Sequence, residues 1–316
     1  MTVKLPNVLI PKSFPKCSHI IWIICACIVL RAGYYWASDG FSLHKIQNTF
    51  PIEKQWQLEH AAPKEQKLLK KACNQPFYYL AKGSQAYAFV SADGQYVLKL
   101  FKCYHLSPVR WLSQIPLPEN LSQLRHDTIA KRQKKIDETL ASYKLAASTL
   151  RAECGLVAMQ ILPNPNVHQN VTIVDKIGRS YTIDLGNFGF IVQRKADLIY
   201  PSLASWIASK DMQSAKQAIS SIVALLVQRS KKGVQDSDPD LHKNAGLIGS
   251  NAIFIDLGSF HENRDAKKSA VYTADLLKIT NNLKLWLQKQ SPILTEHLER
   301  EINQAADSSW RKPSET

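Results

Sequence analysis

The stretch VQDSDPDLHKNAGLIGSNAIFIDLGSF, Val234 to Phe260, decides how this chain is read. Its second half is an apolar strand pattern that runs into Asp256 and a glycine turn at Gly258. An aspartate in that position presents a carboxylate to a metal ion and to phosphates. The same Ile-Asp-Leu-Gly occurs earlier, at Ile183 to Gly186. What precedes each copy separates them. The second follows a polar loop carrying Asp236, Asp238, Asp240 and Asn244, a cluster of oxygen-bearing side chains. The first follows a hairpin pattern, Asn170 to Thr182, so Asp184 reads as a turn at a strand end.

The bulk composition narrows the classes. Hydrophobic residues make up 45% and charged residues 21% of the 316, which describes a globular chain rather than a disordered one. The formal net charge of +14 suits a nucleotide, an anionic membrane surface or nucleic acid. The Lys and Arg residues do not gather into a compact block with interleaved aromatics, so no nucleic-acid partner is expected. The six cysteines, Cys17, Cys25, Cys27, Cys73, Cys103 and Cys154, form no C-x-x-C pair and show no zinc spacing. A reducing compartment is the simplest setting for the globular part.

Upstream, HIIWIICACIVLRAGYYWA (His19 to Ala37) is the most apolar segment. Its uninterrupted core, Ile20 to Leu30, is short for a membrane span. Tyr34, Tyr35 and Trp36 extend it as an interfacial belt, with Arg31 inside the extended span. Three readings stand: a membrane anchor, a signal or secretion segment, and a buried core helix. Residues 1–40 are therefore set apart as an anchor or targeting segment, and 41–77 as a lysine-rich linker with some helix.

From Tyr78 the pattern turns to strands. Ala92-Asp93-Gly94 marks a hairpin between YYLAKGSQAYAFV and QYVLKLF. Residues 121–153 lack glycine and proline and space Leu124, Ile136, Leu140, Tyr143, Ala147 and Leu150 as a long helix. Strand candidates follow at Gly155–Leu162 and Gly189–Asp197, with the hairpin between them turning at Ile177-Gly178-Arg179. Beyond residue 198 the pattern is helical, interrupted by the Asp-rich loop and its strand.

At this point the order of motifs resembles the protein-kinase-like superfamily, in its atypical, HipA-type and small-molecule phosphotransferase branches. LAKGSQAYAFVSADGQYVLKLF resembles a glycine-rich loop followed by the strand that carries the ATP lysine, Lys99 in Val97-Leu98-Lys99. Gly83 keeps one loop glycine, while Gln85 and Ala88 stand where such loops have others; Tyr87 or Phe89 could cap the phosphates. The resemblance implies a glutamate on the next helix paired with Lys99, for which Glu138 is chosen. It makes Asn244 and Asp256 the magnesium ligands and places the catalytic base in the loop. That loop is one residue off the family spacing, so Asp238 and Asp240 both stand, with Asp236 outside them.

The fold implied is α+β and bilobal: a kinase-like antiparallel sheet lobe at 78–197, and a reduced helical C-terminal lobe at 198–316. An N-terminal hydrophobic helix precedes both. The function implied is membrane-associated, ATP- and Mg²⁺-dependent phosphotransfer to a hydroxyl on a protein, lipid headgroup or small molecule. The alternative is a pseudokinase that binds nucleotide or a partner without turnover. A further alternative makes the resemblance accidental. Lys4, Lys12 and Lys16 before the apolar segment, against Lys45 and Lys54 after it, favour an inside N-terminus and an outside catalytic domain, which conflicts with a use of ATP. The need for ATP favours a catalytic part that faces a cytosol.

Overall fold

The structure, a computed structural model, describes residues 16–47, 54–58, 62–102 and 118–310. Lys4, Lys12 and Cys103 lie outside them. The architecture is mixed α/β: a seven-stranded sheet lobe, a helical C-terminal part and an N-terminal apolar helix.

The strands are β1 (Phe77–Lys82), β2 (Ala86–Ser91), β3 (Tyr96–Phe101), β4 (Leu156–Gln160), β5 (Asn170–Val174), β6 (Ser180–Asp184) and β7 (Phe190–Arg194). They lie in the order β4-β7-β3-β2-β1-β5-β6. Every neighbouring pair is antiparallel except β1 with β5, where Phe77 lies opposite Ile173. The β5–β6 hairpin thus leaves β4, crosses the lobe and extends the sheet at its far edge. Strand alternation divides β2: Tyr87 and Phe89 point into the lobe's own core, while Ala86 and Ala88 point to the opposite face.

Between β3 and β4 runs a long helix, residues Glu119–Thr149. Its last turns bury Ile136, Leu140, Tyr143 and Ala146, while Leu124 stays 64% exposed. Only the C-terminal half of the expected apolar stripe therefore meets a core. The helical part consists of Ile199–Ala208, Met212–Lys231, Ser269–Gln290 and Pro292–Trp310. Asp211 caps the second of these, accepting from Ser214 N at 3.1 Å. These helices bury Ile219, Ile222, Leu283 and Leu298 in one core with the long helix. Short strands β8 (Asp197–Leu198), β9 (Val234–Asp236), β10 (Ala245–Ile248), β11 (Asn251–Phe254) and β12 (Phe260–Glu262) form two small ladders, β11-β10-β8 and β12-β9. They hold the Asp-rich loop against the helices.

The first helix, Lys16–Ala37, behaves differently. Its window Ile20–Ala37 is long and apolar enough to cross a membrane, and none of it is buried. The core-helix reading therefore does not describe this helix. The segment after it, read as the start of a linker, is built into the sheet lobe. Phe41 is 2% exposed and meets Tyr87, Phe89 and Tyr181 edge-on, at centroid distances of 5.1, 5.4 and 5.9 Å. Ile46 is buried beside it, and the helix Pro63–Cys73 adds Leu69, Ala72 and Cys73. Gly40, at φ +68°, makes the turn possible. A Cβ there would sit 2.2 Å from the Tyr35 ring.

Phe41→Ala should therefore lower the stability of the sheet lobe by about 3 kcal/mol, the cost of a large buried cavity. Urea unfolding measures it. A loss below about 1 kcal/mol would mean that residues 38–46 are not part of the core.

Candidate functional site

A cleft of about 290 Å³ opens between the sheet lobe and the Asp-Leu-Gly turn. The β1–β2 tip supplies Lys82, Gly83 and Gln85, and β3 supplies Lys99 and Phe101. Tyr143 comes from the long helix, and Lys243 and Asp256 from the opposite wall. Of the residues expected from sequence, Gly83, Lys99 and Asp256 line this one cleft.

Lys99 reaches the cleft because it pairs with Ala88 on one side and Ile191 on the other, so all three point to the same face. Alanine at position 88 leaves room for the lysine stem. Its ammonium donates to the Ile255 carbonyl, one residue before Asp256. Burial lowers the Lys99 pKa, and the Asp256 carboxylate opposes that shift. Glu138 takes no part. It lies outside the buried arc of its helix and pairs with Lys134 at 3.9 Å, both side chains exposed. The turns of that helix nearest the cleft present Ser142 and Tyr143 instead. The expected Lys99–Glu138 pair is therefore not formed, and the Ile255 carbonyl takes the lysine.

The β1–β2 tip is tied down by side chains. Lys102, 2% exposed, donates to the Gly83 carbonyl and lies 4.7 Å above the Tyr87 ring. Its backbone N–H donates to the Gln85 carbonyl at 2.8 Å. The Tyr143 hydroxyl donates to Gln85 Oε1. Gln85 in turn packs on Gly258, where a Cβ would lie 2.7 Å from Oε1. Tyr87 and Phe89, expected as possible phosphate caps, are instead fully buried around Phe41 on the far face of β2. The strand period forbids both roles at once.

On the opposite wall the loop is fixed from inside. Arg229, 1% exposed, contacts Asp275 Oδ2 at 2.6 Å and Asp236 Oδ2 at 3.9 Å. Asp236 Oδ1 accepts from Ser259 Oγ at 2.6 Å and from Asp238 N at 2.9 Å. Asp236 is thus a brace. Asp238 is exposed, and Asn244 Nδ2 donates to its carbonyl at 2.7 Å and lies 3.4 Å from its Oδ2. The Asp240 carboxylate accepts from His242 N at 2.8 Å and pairs with Lys243 at 3.3 Å. Asn244, 8% exposed, accepts through its carbonyl from Ile255 N at 2.8 Å and Asp256 N at 3.3 Å. Asn244 and Asp256 are therefore held side by side through the backbone. Asp256 Oδ1 accepts from Gly258 N at 3.1 Å. Asp184 ends β6 at the sheet's outer edge, capping a turn by accepting from Gly186 N at 3.0 Å and Gln169 N at 3.2 Å.

These oxygens fit one kind of metal site. Among the described residues no group of three or more His, Cys, Asp or Glu side chains could enclose an ion. With Nδ2 given to Asp238, Asn244 keeps Oδ1 as an acceptor, on the residue whose backbone carbonyl receives Asp256 N; Asn244 itself lines a small separate cavity with Asp236 and Asp240 rather than the cleft. Two protein oxygens suit a Mg²⁺ shared with phosphates, which binds through few protein ligands.

Sequence reasoning passed over Lys102, Lys243, Ser142 and Tyr143. Lys102 follows Phe101 at the strand end, where alternation no longer says which way a side chain turns. Ser142 Oγ donates to Leu257 O and accepts from Phe260 N, both at 2.6 Å. A serine on a polar helix gives no sign of such a long-range clamp.

No protein-family model matches the chain, and no curated protein matches it. Solved structures with distant likeness include WbdD, at 14% identity and TM-score 0.33, covering 75% of this chain and 47% of that one. A second structure, described as the bifunctional kinase-methyltransferase WbdD, has 15% identity and TM-score 0.31, covering 73% and 43%. The complex of Rv3197 with erythromycin, from Mycobacterium tuberculosis, has 11% identity and TM-score 0.33, covering 76% and 75%. The chain thus spans about half the length of the WbdD chains.

Burial, helped by Lys82 and Lys45, lowers the Lys102 pKa to about 8 from 10.5. Between those values the unfolded chain holds a proton that the folded chain lacks. This residue's contribution to stability therefore rises with pH across that window. The stability of wild type relative to Lys102→Met should rise from about pH 7.5 to about pH 9.5, as read by denaturant midpoints. A flat gap would mean that Lys102 titrates at its ordinary value.

Proposed function

We propose that the chain is a membrane-attached phosphotransferase that moves the terminal phosphoryl group of ATP, held with Mg²⁺, to an acceptor hydroxyl. The observation that carries this reading is the convergence of Lys99 and Asp256 on one cleft from opposite walls. Lys82 and Lys243 line the same cleft, giving it the positive charge a polyphosphate requires. In kinase-type sites the strand lysine contacts the phosphates, while an asparagine and an aspartate take the metal. Here Lys99, Asn244 and Asp256 have those roles.

When bound, Mg²⁺ supplies charge that offsets the build-up on the transferring group. The protein's own residues do the rest. Lys99 neutralises the phosphates nearest the sheet lobe. Lys102 and Tyr143 hold the β1–β2 tip over them, and the Gln85 amide nitrogen supplies a donor where the family has glycine N–H groups. Asp238 accepts the proton of the acceptor hydroxyl as the new O–P bond forms and ADP departs. Asp238 is preferred to Asp240, whose carboxylate is engaged by His242 N and Lys243.

Calorimetry with and without Mg²⁺ tests the reading. Lys99→Ala and Asp256→Asn should each weaken Mg·ATP binding by about tenfold or more, while Asp184→Asn leaves it unchanged. Unaltered binding in the first two variants would remove the basis for the site. Binding without transfer to any acceptor would make the chain a nucleotide-binding module.

The apolar helix Lys16–Ala37 supports membrane attachment, and the use of ATP puts residues 78–316 on a cytosolic face. Protease added to the cytosolic side of intact membranes should cut within 78–316. Cutting only from the other side would contradict an active ATP-dependent enzyme.

A further inference from the structure

The C-terminal end of the apolar helix meets basic side chains from three separate stretches. Arg179, from the β5–β6 turn, donates to the Tyr34 hydroxyl, with its guanidinium 5.3 Å from that ring centroid. Lys82, at the tip of β1, donates to the Tyr35 hydroxyl at 3.0 Å and lies 4.7 Å from its ring centroid. Lys45 lies 5.2 Å from the same ring centroid. Lys176 sits 3.0 Å from Asp39, in the turn that follows the helix.

We propose that Lys45, Lys82, Lys176 and Arg179 form a cationic collar that binds the headgroups of anionic phospholipids, in the leaflet where this helix leaves the bilayer. Three features carry it. First, the cations are exposed or half-exposed, whereas the two nearby carboxylates are drawn inward. Asp175 is 4% exposed and accepts from Ile177 N, Arg179 N, Tyr181 Oη and, at 3.3 Å, Arg179 Nε, so four cations face two carboxylates and the collar keeps a net positive charge. Asp39 accepts from Tyr79 Oη at 2.8 Å and is half-buried. The outward charge is therefore positive. Second, the collar surrounds the C-terminal end of the apolar helix, which a spanning helix brings to a headgroup layer. Tyr34, Tyr35 and Trp36 are the residue types that occupy such an interface. Third, basic residues held within a Debye length of an anionic leaflet each gain from its potential, and these four are held there together.

One consequence follows for the cleft. Lys82 belongs to both collar and cleft, so the cleft's mouth opens beside the headgroups. The inference rests on the helix lying in a bilayer and not on the nucleotide reading, so ATP binding neither supports nor weakens it.

Hydrogen exchange on the full chain, reconstituted in vesicles, tests the collar. One set of vesicles is phosphatidylcholine alone, and the other contains about one-third phosphatidylglycerol. The turns at 82–86 and 175–180 should exchange severalfold more slowly in the anionic vesicles. Lys176→Gln/Arg179→Gln should abolish that difference, read between the two lipids within the same variant so that loss of the pairs to Asp39 and Asp175 affects both vesicle sets alike. Lys176→Arg should retain it. Equal exchange in the two lipids, with the chain inserted in both, would overturn the collar while leaving the anchor in place. A chain that inserts in neither would overturn both.

Discussion

A guanidinium sealed from water is the constraint on which the candidate site depends. Arg229 sits in the helix Met212–Lys231 at 1% exposure, and a cation there is tolerable only if anions accompany it. Asp275, from the next long helix, and Asp236, from β9, provide them. The Phe254 ring adds its face at 5.7 Å. Removing one member of such a set leaves an uncompensated charge and costs about 3–5 kcal/mol. The functional effect lies in the second oxygen of Asp236. Oδ2 faces the arginine, while Oδ1 receives Ser259 and the backbone of Asp238. The same carboxylate thus closes the buried network and starts the loop that carries Asp238 and Asn244. The loop's position is inherited from the helical core.

The cleft's two walls are joined by few contacts of high specificity. Lys99 to the Ile255 carbonyl connects β3 to the strand end before Asp256. Ser142 clamps both sides of the Asp-Leu-Gly turn, receiving Phe260 N and reaching Leu257 O. Tyr143, stacked on Phe101 at 4.9 Å, reaches Gln85 across the cleft. One helical turn therefore touches the tip, the strand that carries the lysine, and the acidic turn. The resemblance in sequence implies an acidic residue on this helix to hold the lysine. Here the helix holds the surroundings of the lysine and leaves the ammonium to a backbone carbonyl.

What was legible in the sequence follows from how local each signal is. The hairpins at Gly94 and Gly178 were readable because a left-handed turn leaves a local glycine mark. Lys99 stood out because it lies in a strand with apolar neighbours, and Asp256 because it directly follows an apolar strand. Glu138 was misread for the opposite reason. On a helix the eye counts spacing, and only the buried arc of Ile136, Leu140, Tyr143 and Ala146 shows which face turns inward. The strands β10 and β12 were too short to signal. Residues 41–46 looked like linker because Phe41, Leu43 and Ile46 are too few to show a period, although Phe41 and Ile46 fill the sheet lobe's core.

The tie at Gln85 changes what the β1–β2 tip can do. A loop rich in glycine has backbone N–H groups that approach phosphates closely, at the cost of an entropy loss when it orders. This tip keeps only Gly83 and spends side chains on order: Lys102 on one carbonyl, Tyr143 on the glutamine, Gln85 against Gly258. It is therefore organised before any ligand arrives, which lowers the ordering cost of binding. Such a tip also has less freedom to open, and Lys82 and Lys243 line the cleft beside it. Lys82 also reaches Tyr35, so the same side chain borders the cleft and touches the end of the helix that is long and apolar enough to span a membrane.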